Sequence, residues 1–269
     1  MVKRVQSPSS INTFLQCPRK YYYQYIEKLP TSPNINLVRG NIAHSTLEYF
    51  FKQDLAGIDE INYKKEFIRE IQRIFFIQWG KYRDALKVLG LSTKDLKFFF
   101  EETLMMLINW CNYFIEEITL MLEKKVNIAE AFNAVKPLTE QEFQSETMFV
   151  RGFIDAIKYV DDEVHILDYK TNAVPEIKEN IRLQLGIYSL LYNEKHGKYP
   201  NKVGVFFLRD KLHMLIVDEE LVENAKQAIH IVHEHTTMFD KKEDYEKKTS
   251  PLCKWKSGQC DFYDVCKPY

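Results

Sequence analysis

The order of elements legible in this sequence predicts an α/β protein built on a mixed β-sheet. Three observations carry that expectation. Residues from about 58 to 135 keep helical spacing with almost no strand texture. From about Glu142 the chain turns to β-branched and aromatic residues in short alternating runs. Beyond those runs a helix and then two further strands follow, giving the order helix, three strands, helix, strand, strand.

Ser7-Pro8-Ser9-Ser10 supplies an N-cap for a short helix carrying Ile11, Phe14 and Leu15. Cys17-Pro18 interrupts it, and Pro18 suits the first turn of a second helix through Tyr25. Val38 to Phe51 reads as another helix, on which His44 and Glu48 are four apart and share a face. The helical block 58–135 has breaks near Gly80 and Gly90, and Ser92 to Asp95 starts a long helix that is apolar nearly all round. Glu142–Phe149, Val150–Val160 and Val164–Tyr169 read as strands, the last two joined by a turn at Asp161-Asp162. Pro175 precedes a helix from about Glu176 to Lys195, closed by Gly197. Val203–Leu208 and Leu212–Val217 are strands, and a helix from Asp218 to about Met238 leads into a Lys/Glu-rich linker. The His230, His233 and His235 run is expected on the solvated face of that helix.

With a net charge of −1 over 269 residues, there is no global basic field to hold a polyanion. Such a partner needs a local patch or bound metal. The first apolar residues are interrupted by Arg4, Gln6, Ser9 and Asn12, and Leu104 to Leu122 is broken by Asn109, Asn112, Glu116 and Glu117. Neither run suits a signal peptide or a membrane span, so the expected compartment is the cytoplasm. Five cysteines in a reducing compartment argue against a disulfide framework.

The chemistry concentrates between Val150 and Lys170. If Asp161-Asp162 is a two-residue turn closed by Val160 opposite Glu163, then Asp155 falls opposite Asp168. Opposed Cβ atoms in an antiparallel pair are about 5 Å apart, where like charges are destabilising. Alternation puts Lys170 on the face of Asp168. Mg²⁺ or Mn²⁺ explains such a cluster, because hard cations take carboxylate oxygens and bridge to phosphates. Lys170 could then orient a water or stabilise developing negative charge. His44 could add an imidazole ligand, and Gln184 and Tyr188 share one face of the next helix.

Cys17 near the start and Cys253, Cys260 and Cys266 near the end could hold a [4Fe–4S] cluster or Zn²⁺, or remain buried thiols. Joining them would close a loop of almost the whole chain, a constraint worth several kcal/mol. Cys111, within a helical run, reads as a small buried hydrophobe.

Ser-Pro-Ser-Ser-Ile, Cys17-Pro-Arg-Lys, Gly40-Asn-Ile-Ala-His44, Gly152-Phe-Ile-Asp155, Asp168-Tyr-Lys170, Gln184-x-x-x-Tyr188 and the C-terminal cysteines occur in one order. That order resembles the RecB-like branch of the PD-(D/E)xK nucleases, and within it the iron–sulfur members among CRISPR-associated nucleases, AddB nuclease domains and phage exonucleases. Ile154 stands where the family name has proline, and Asp168 replaces glutamate; both variations occur in the family. Five residues between Cys260 and Cys266 resemble the family, whereas six between Cys253 and Cys260 exceed its usual two.

The resemblance implies a restriction-endonuclease-like core at 136–240, a helical insertion at 58–135, an N-terminal helical segment at 1–57 and a cysteine-cluster segment at 241–269. It implies divalent metal on His44, Asp155, Asp168 and the Tyr169 carbonyl, Lys170 as the catalytic lysine, and Gln184 and Tyr188 shaping the site or contacting DNA. The implied activity is exonucleolytic hydrolysis of single-stranded DNA. A catalytically silent DNA-binding module and a structure-specific endonuclease are the alternatives. Arg19, Lys20, Lys178 and Arg182 are candidate phosphate contacts, and Tyr21 to Tyr23 either stack on bases or pack on the cluster. Partners implied beyond DNA are recombination, repair or CRISPR-adaptation proteins, or further copies of the chain.

Overall fold

The computed structural model describes residues 4–256 and 258–268. Ser7 caps α1 (Pro8–Gln16) through a reciprocal capping box with Ser10. Pro18 opens α2 (Pro18–Tyr21), which runs into a π-helical turn at Tyr22–Ile26. Asn34 caps α3 (Ile35–Phe50). The helical block comprises α4 (Tyr63–Lys81), α5 (Arg83–Val88), α6 (Thr93–Leu122) and α7 (Ile128–Val135). Ser92 accepts from the Asp95 N–H at the start of α6, and Gly90, at φ +61°, takes the left-handed turn just before it.

The sheet follows as β1 (Leu138–Ser145), β2 (Val150–Val160) and β3 (Glu163–Lys170). Then come α8 (Glu179–His196), β4 (Lys202–Phe207), β5 (Leu212–Ile216) and α9 (Glu219–Met238). The five strands lie in sequence order; β3 and β4 are parallel and every other pair is antiparallel. This is the mixed sheet that the element order predicts. Val160 pairs with Glu163, and Asp161 adopts φ +52° in the two-residue turn. Strand β1 starts at Leu138, four residues before its strand texture begins in the sequence, and gives way to a turn at residues 146–149. Thr139, Glu140 and Gln141 are polar, and on an edge strand no buried alternation marks them as sheet.

Two apolar cores sandwich the sheet. One joins α3, α4, α6 and α7 to Ala156, Leu167, Tyr169 and Phe206. The other joins α1, α8 and α9 to Ile154, Ile157, Ile166, Val203, Val205 and Phe207. The helical block is therefore welded to the sheet: Lys158 Nζ meets Glu117 Oε2 at 2.6 Å, and the Asn109 amide donates to the carbonyls of Leu208 (3.1 Å) and Asp210 (2.8 Å). Cys111 is buried in this core, as a small apolar side chain would be.

The chain ends meet on the opposite side. Gln6 forms a parallel bridge to Val150, Arg19 Nε donates to the Tyr245 carbonyl (2.8 Å), and Lys248 Nζ to that of Leu15 (3.1 Å). Tyr21 and Tyr23 are buried, so they pack and are not available for stacking on bases. The three histidines of α9 do not share a solvated face as their spacing suggests. His230 faces solvent, whereas His233 is buried and His235 lies between the rings of Phe14, Phe239 and Tyr245. Docking of α9 against α1 and the C-terminal segment covers those rings, which a helical periodicity does not foretell.

Gly186 sets the approach of α8 to α9, because a Cβ there would lie 2.8 Å from the Leu221 carbonyl oxygen and 3.0 Å from Ala225 Cβ. Gly186→Ala should cost about 1–3 kcal/mol through overpacking. A urea titration checks this, and an unchanged midpoint would show that the two helices separate freely.

Candidate active site

Three acidic residues occupy one row across three strands. The β1–β2 register flanks Glu140 and Asp155 with the pairs Thr139–Ala156 and Gln141–Ile154. The β2–β3 ladder ends at Ala156–Leu167, one step before Asp155 and Asp168. At that step the Asp155 side chain replaces the ladder, its Oδ2 accepting from the Tyr169 N–H at 2.8 Å. Glu140 holds φ +48°, a left-handed conformation costing about 1–2 kcal/mol in a non-glycine residue. Opposite it, β2 changes sides: Ile154 packs in one core and Ala156 in the other. Such irregularities re-aim side chains, and here one brings Glu140 to Asp155.

His44, from α3, reaches the same point. Its Nδ1 is 3.2 Å from Asp155 Oδ1. His44, Glu140 and Asp155 each offer a ligand atom within 4.8 Å of the others. Lys170 Nζ is 2.7 Å from Asp168 Oδ2. From α8 the Gln184 amide donates to Asp168 Oδ1 (2.9 Å) and to the Tyr188 hydroxyl (2.7 Å). Gly152 makes room for that tyrosine, since a Cβ there would stand 3.1 Å from Tyr188 Cε1. The structure thus gathers His44, Asp155, Asp168, Tyr169, Lys170, Gln184 and Tyr188, and adds Glu140. Sequence periodicity misses Glu140, because strand texture starts only at Glu142; a strand four residues longer sets Glu140 opposite Asp155.

The electrostatics are those of crowded carboxylates. Burial pushes Asp168 up to about 6, against the pull of Lys170 and with repulsion from Asp155. Burial and the charge of Asp155 raise Glu140 to about 7. Burial opposes protonation of His44, but the Asp155 carboxylate outweighs it and lifts the imidazole to about 9. Burial likewise disfavours a charged Asp155, yet His44 and the Tyr169 N–H hold its carboxyl below the usual range. Without a cation, then, His44 and Lys170 serve as counter-ions. Oxygen-rich donors with one imidazole, half-buried and short of positive charge, suit Mg²⁺ or Mn²⁺.

A groove of about 900 Å³ runs past Lys170 and Gln184, lined also by Ser9, Asn12, Asn172 and Lys178. Of the other basic candidates, Arg182 faces Asp218 and Glu220 at 3.9 and 3.8 Å. Arg19 Nε donates to the Tyr245 carbonyl, and Lys20 lies with Cys17, Cys253, Cys260 and Cys266 around a separate recess.

An acidic row with a lysine thus sits at one end of β3 in a mixed sheet on an α/β scaffold. A family model described as the PD-(D/E)XK nuclease superfamily matches residues 6–267, and the chain belongs to that superfamily. It is 26% identical over 235 residues to the Gene 69 protein of Mycobacterium phage L5, covering 77% of each chain. Over 159 residues, 56% of this chain, it is 23% identical to an ATP-dependent helicase/nuclease polypeptide of Ruminiclostridium cellulolyticum, 11% of whose length is covered. A crystal structure from Eubacterium rectale, of a protein with a provisional exonuclease description, shares the fold at TM-score 0.50 and 13% identity, over 98% of this chain and 93% of that one. Among the described residues no helix is long and apolar enough to cross a membrane.

The raised groups imply a sign for metal binding. His44 and Glu140 must lose protons to become ligands. Mn²⁺ affinity should therefore climb between about pH 6 and pH 9, with at least about one proton released per ion at pH 7. Calorimetry in buffers of different ionisation enthalpy measures that number, and zero release would contradict this set of ligands.

Proposed function

We propose that the chain is a divalent-metal-dependent deoxyribonuclease of the RecB-like branch, degrading single-stranded DNA from an end. The observation that carries this reading is the meeting of Asp155, Asp168 and Lys170 with His44 at one point beside a polar groove. His44, Asp155, Asp168 and the Tyr169 carbonyl would hold Mg²⁺ or Mn²⁺, with Glu140 joining them. When bound, the ion supplies Lewis-acid polarisation of the phosphate and a more acidic water. Lys170 carries a positive charge at the edge of the site, where it stabilises negative charge developing on the phosphoryl oxygens. Gln184 fixes one oxygen of Asp168 and Tyr188 fixes Gln184, so the carboxylate presents a defined edge. Preference for ends and for single strands comes from the family resemblance, and the exonuclease description of the Eubacterium rectale protein is in line with it.

The four cysteines are assigned to a [4Fe–4S] cluster, with Zn²⁺ as the alternative occupant. All four line one recess with Phe262 and Tyr263. A cluster held there would staple segment 241–269 to the N-terminal helices and leave 58–135 as an insertion beside a 136–240 core. Cytoplasmic location and work alongside recombination, repair or CRISPR-adaptation proteins complete the reading.

Asp168→Ala and Lys170→Ala should each lower cutting of labelled single-stranded DNA in Mn²⁺ by at least about 100-fold, and circular single strands should resist the native protein. Undiminished cutting by both variants overturns the active-site assignment; efficient cutting of circles overturns the requirement for ends. Anaerobically purified protein should be brown with about four irons per chain, and a colourless protein with one zinc would refute the cluster.

A further inference from the structure

A second charged cluster lies beside the same groove. Arg39 of α3 and Arg209, in the turn between β4 and β5, both form ion pairs with Glu102 of α6. Arg39 is 2% exposed, stacks its guanidinium on the Phe99 ring at 5.2 Å, and has an Nε with no hydrogen-bond partner. Arg209 is the accessible member. Its Nε donates to the carbonyl of Thr171 at 3.3 Å, one residue beyond Lys170. The recess these arginines line, about 450 Å³, also contains Asn36, Asn172, Lys178 and Asn180. Asn172, Lys178 and Asn180 line the groove beside Lys170 and Gln184 as well, so the two depressions adjoin.

The charges there do not balance. Arg39, Arg209 and Lys178 face two carboxylates, Glu102 and Glu176, leaving one positive charge over. A tie between helical block and sheet needs only one guanidinium on Glu102. Placing two there sets like charges side by side, and burial together with Arg209 makes Arg39 less basic. A bound anion would relieve that repulsion, and a guanidinium fork matches phosphate geometry.

We propose that Arg209, oriented by Glu102 and Arg39, binds a phosphate of the substrate strand next to the one at the metal centre. This rests on the nuclease reading and extends it. Arg209 is the binding residue; Glu102 and Arg39 are positioning residues. The insertion 58–135 thereby acquires a role in substrate placement through its Glu102.

The test is equilibrium binding of a fluorescent single-stranded oligonucleotide, followed by anisotropy in Ca²⁺ over a series of salt concentrations. Arg209→Gln should weaken binding by about tenfold and make the log–log salt slope shallower by about 0.7, one phosphate contact on a single strand. Arg209→Lys should restore the slope but not the full affinity, because an ammonium lacks the planar fork. Glu102→Gln distinguishes positioning from bulk charge. Removing a negative charge should tighten binding if charge alone matters and weaken it if Glu102 aims Arg209. Unchanged affinity and slope in Arg209→Gln, or tighter binding by a folded Glu102→Gln, overturns the proposal. Oligonucleotides with and without a 5′-phosphate tell the source: an effect confined to the phosphorylated strand assigns a terminal phosphate, and equal effects assign an internal one, the subsite standing either way. Native protein that binds the strand but never cuts it in Mn²⁺ would refute the nuclease reading alone.

Discussion

The structure depends on the antiparallel pairing of β2 with β3 that forces Asp155 and Asp168 together. A two-residue turn leaves no slack in that register, because a slip of one residue would send each strand's apolar side chains to the wrong core. Opposed carboxylates are unfavourable in themselves, and burial makes them more so. The protein offsets this with specific partners: His44 and the Tyr169 N–H for Asp155, Lys170 and Gln184 for Asp168. These partners come from three elements, so α3, β3 and α8 are all fixed relative to one row of the sheet. Glu140 adds a third acid from β1 at the expense of a left-handed backbone, a local strain of the kind stored at functional sites.

The two cores explain where this row can exist. Each covers one face of the sheet, and a fully enclosed site would strand its charges without water or ligand. The acidic row instead lies at the seam where α3, from one layer, and α8, from the other, approach the end of β3. There the acids are shielded enough to shift their ionisation, and it is Lys170 and Gln184 beside them that line the groove. Away from that seam, hydrogen bonds and stacked rings bind the N-terminal helices to the C-terminal segment, and the cysteines of both ends share one recess.

Much of this is legible in the sequence. The Asp161-Asp162 turn, with apolar alternation on either side, fixes the β2–β3 register; Ser7, Ser92 and Gly197 mark helix ends where the structure has them. What escapes depends on tertiary placement. Glu140 lies in a polar edge strand whose alternation is broken by its own positive φ. Arg39, Glu102 and Arg209 come from three distant stretches, and nothing local marks them as a unit. Arg19 lies beside Cys17 in the sequence, and its Nε donates to the carbonyl of Tyr245 in the C-terminal segment, a contact no local pattern marks. His233 and His235 keep helical spacing with exposed neighbours, and only the docking of α1 and Tyr245 turns His235 inward.

The proposed metal site lies between the acids of β2 and β3, and anomalous scattering from crystals soaked in Mn²⁺ locates it. A strong peak is expected with oxygens of Asp155 and Asp168 at roughly 2.1 Å, His44 turned from counter-ion to ligand, and the Tyr169 carbonyl completing the set. A peak elsewhere, or Asp155 and Asp168 still paired with His44 and Lys170 at saturating Mn²⁺, would contradict it.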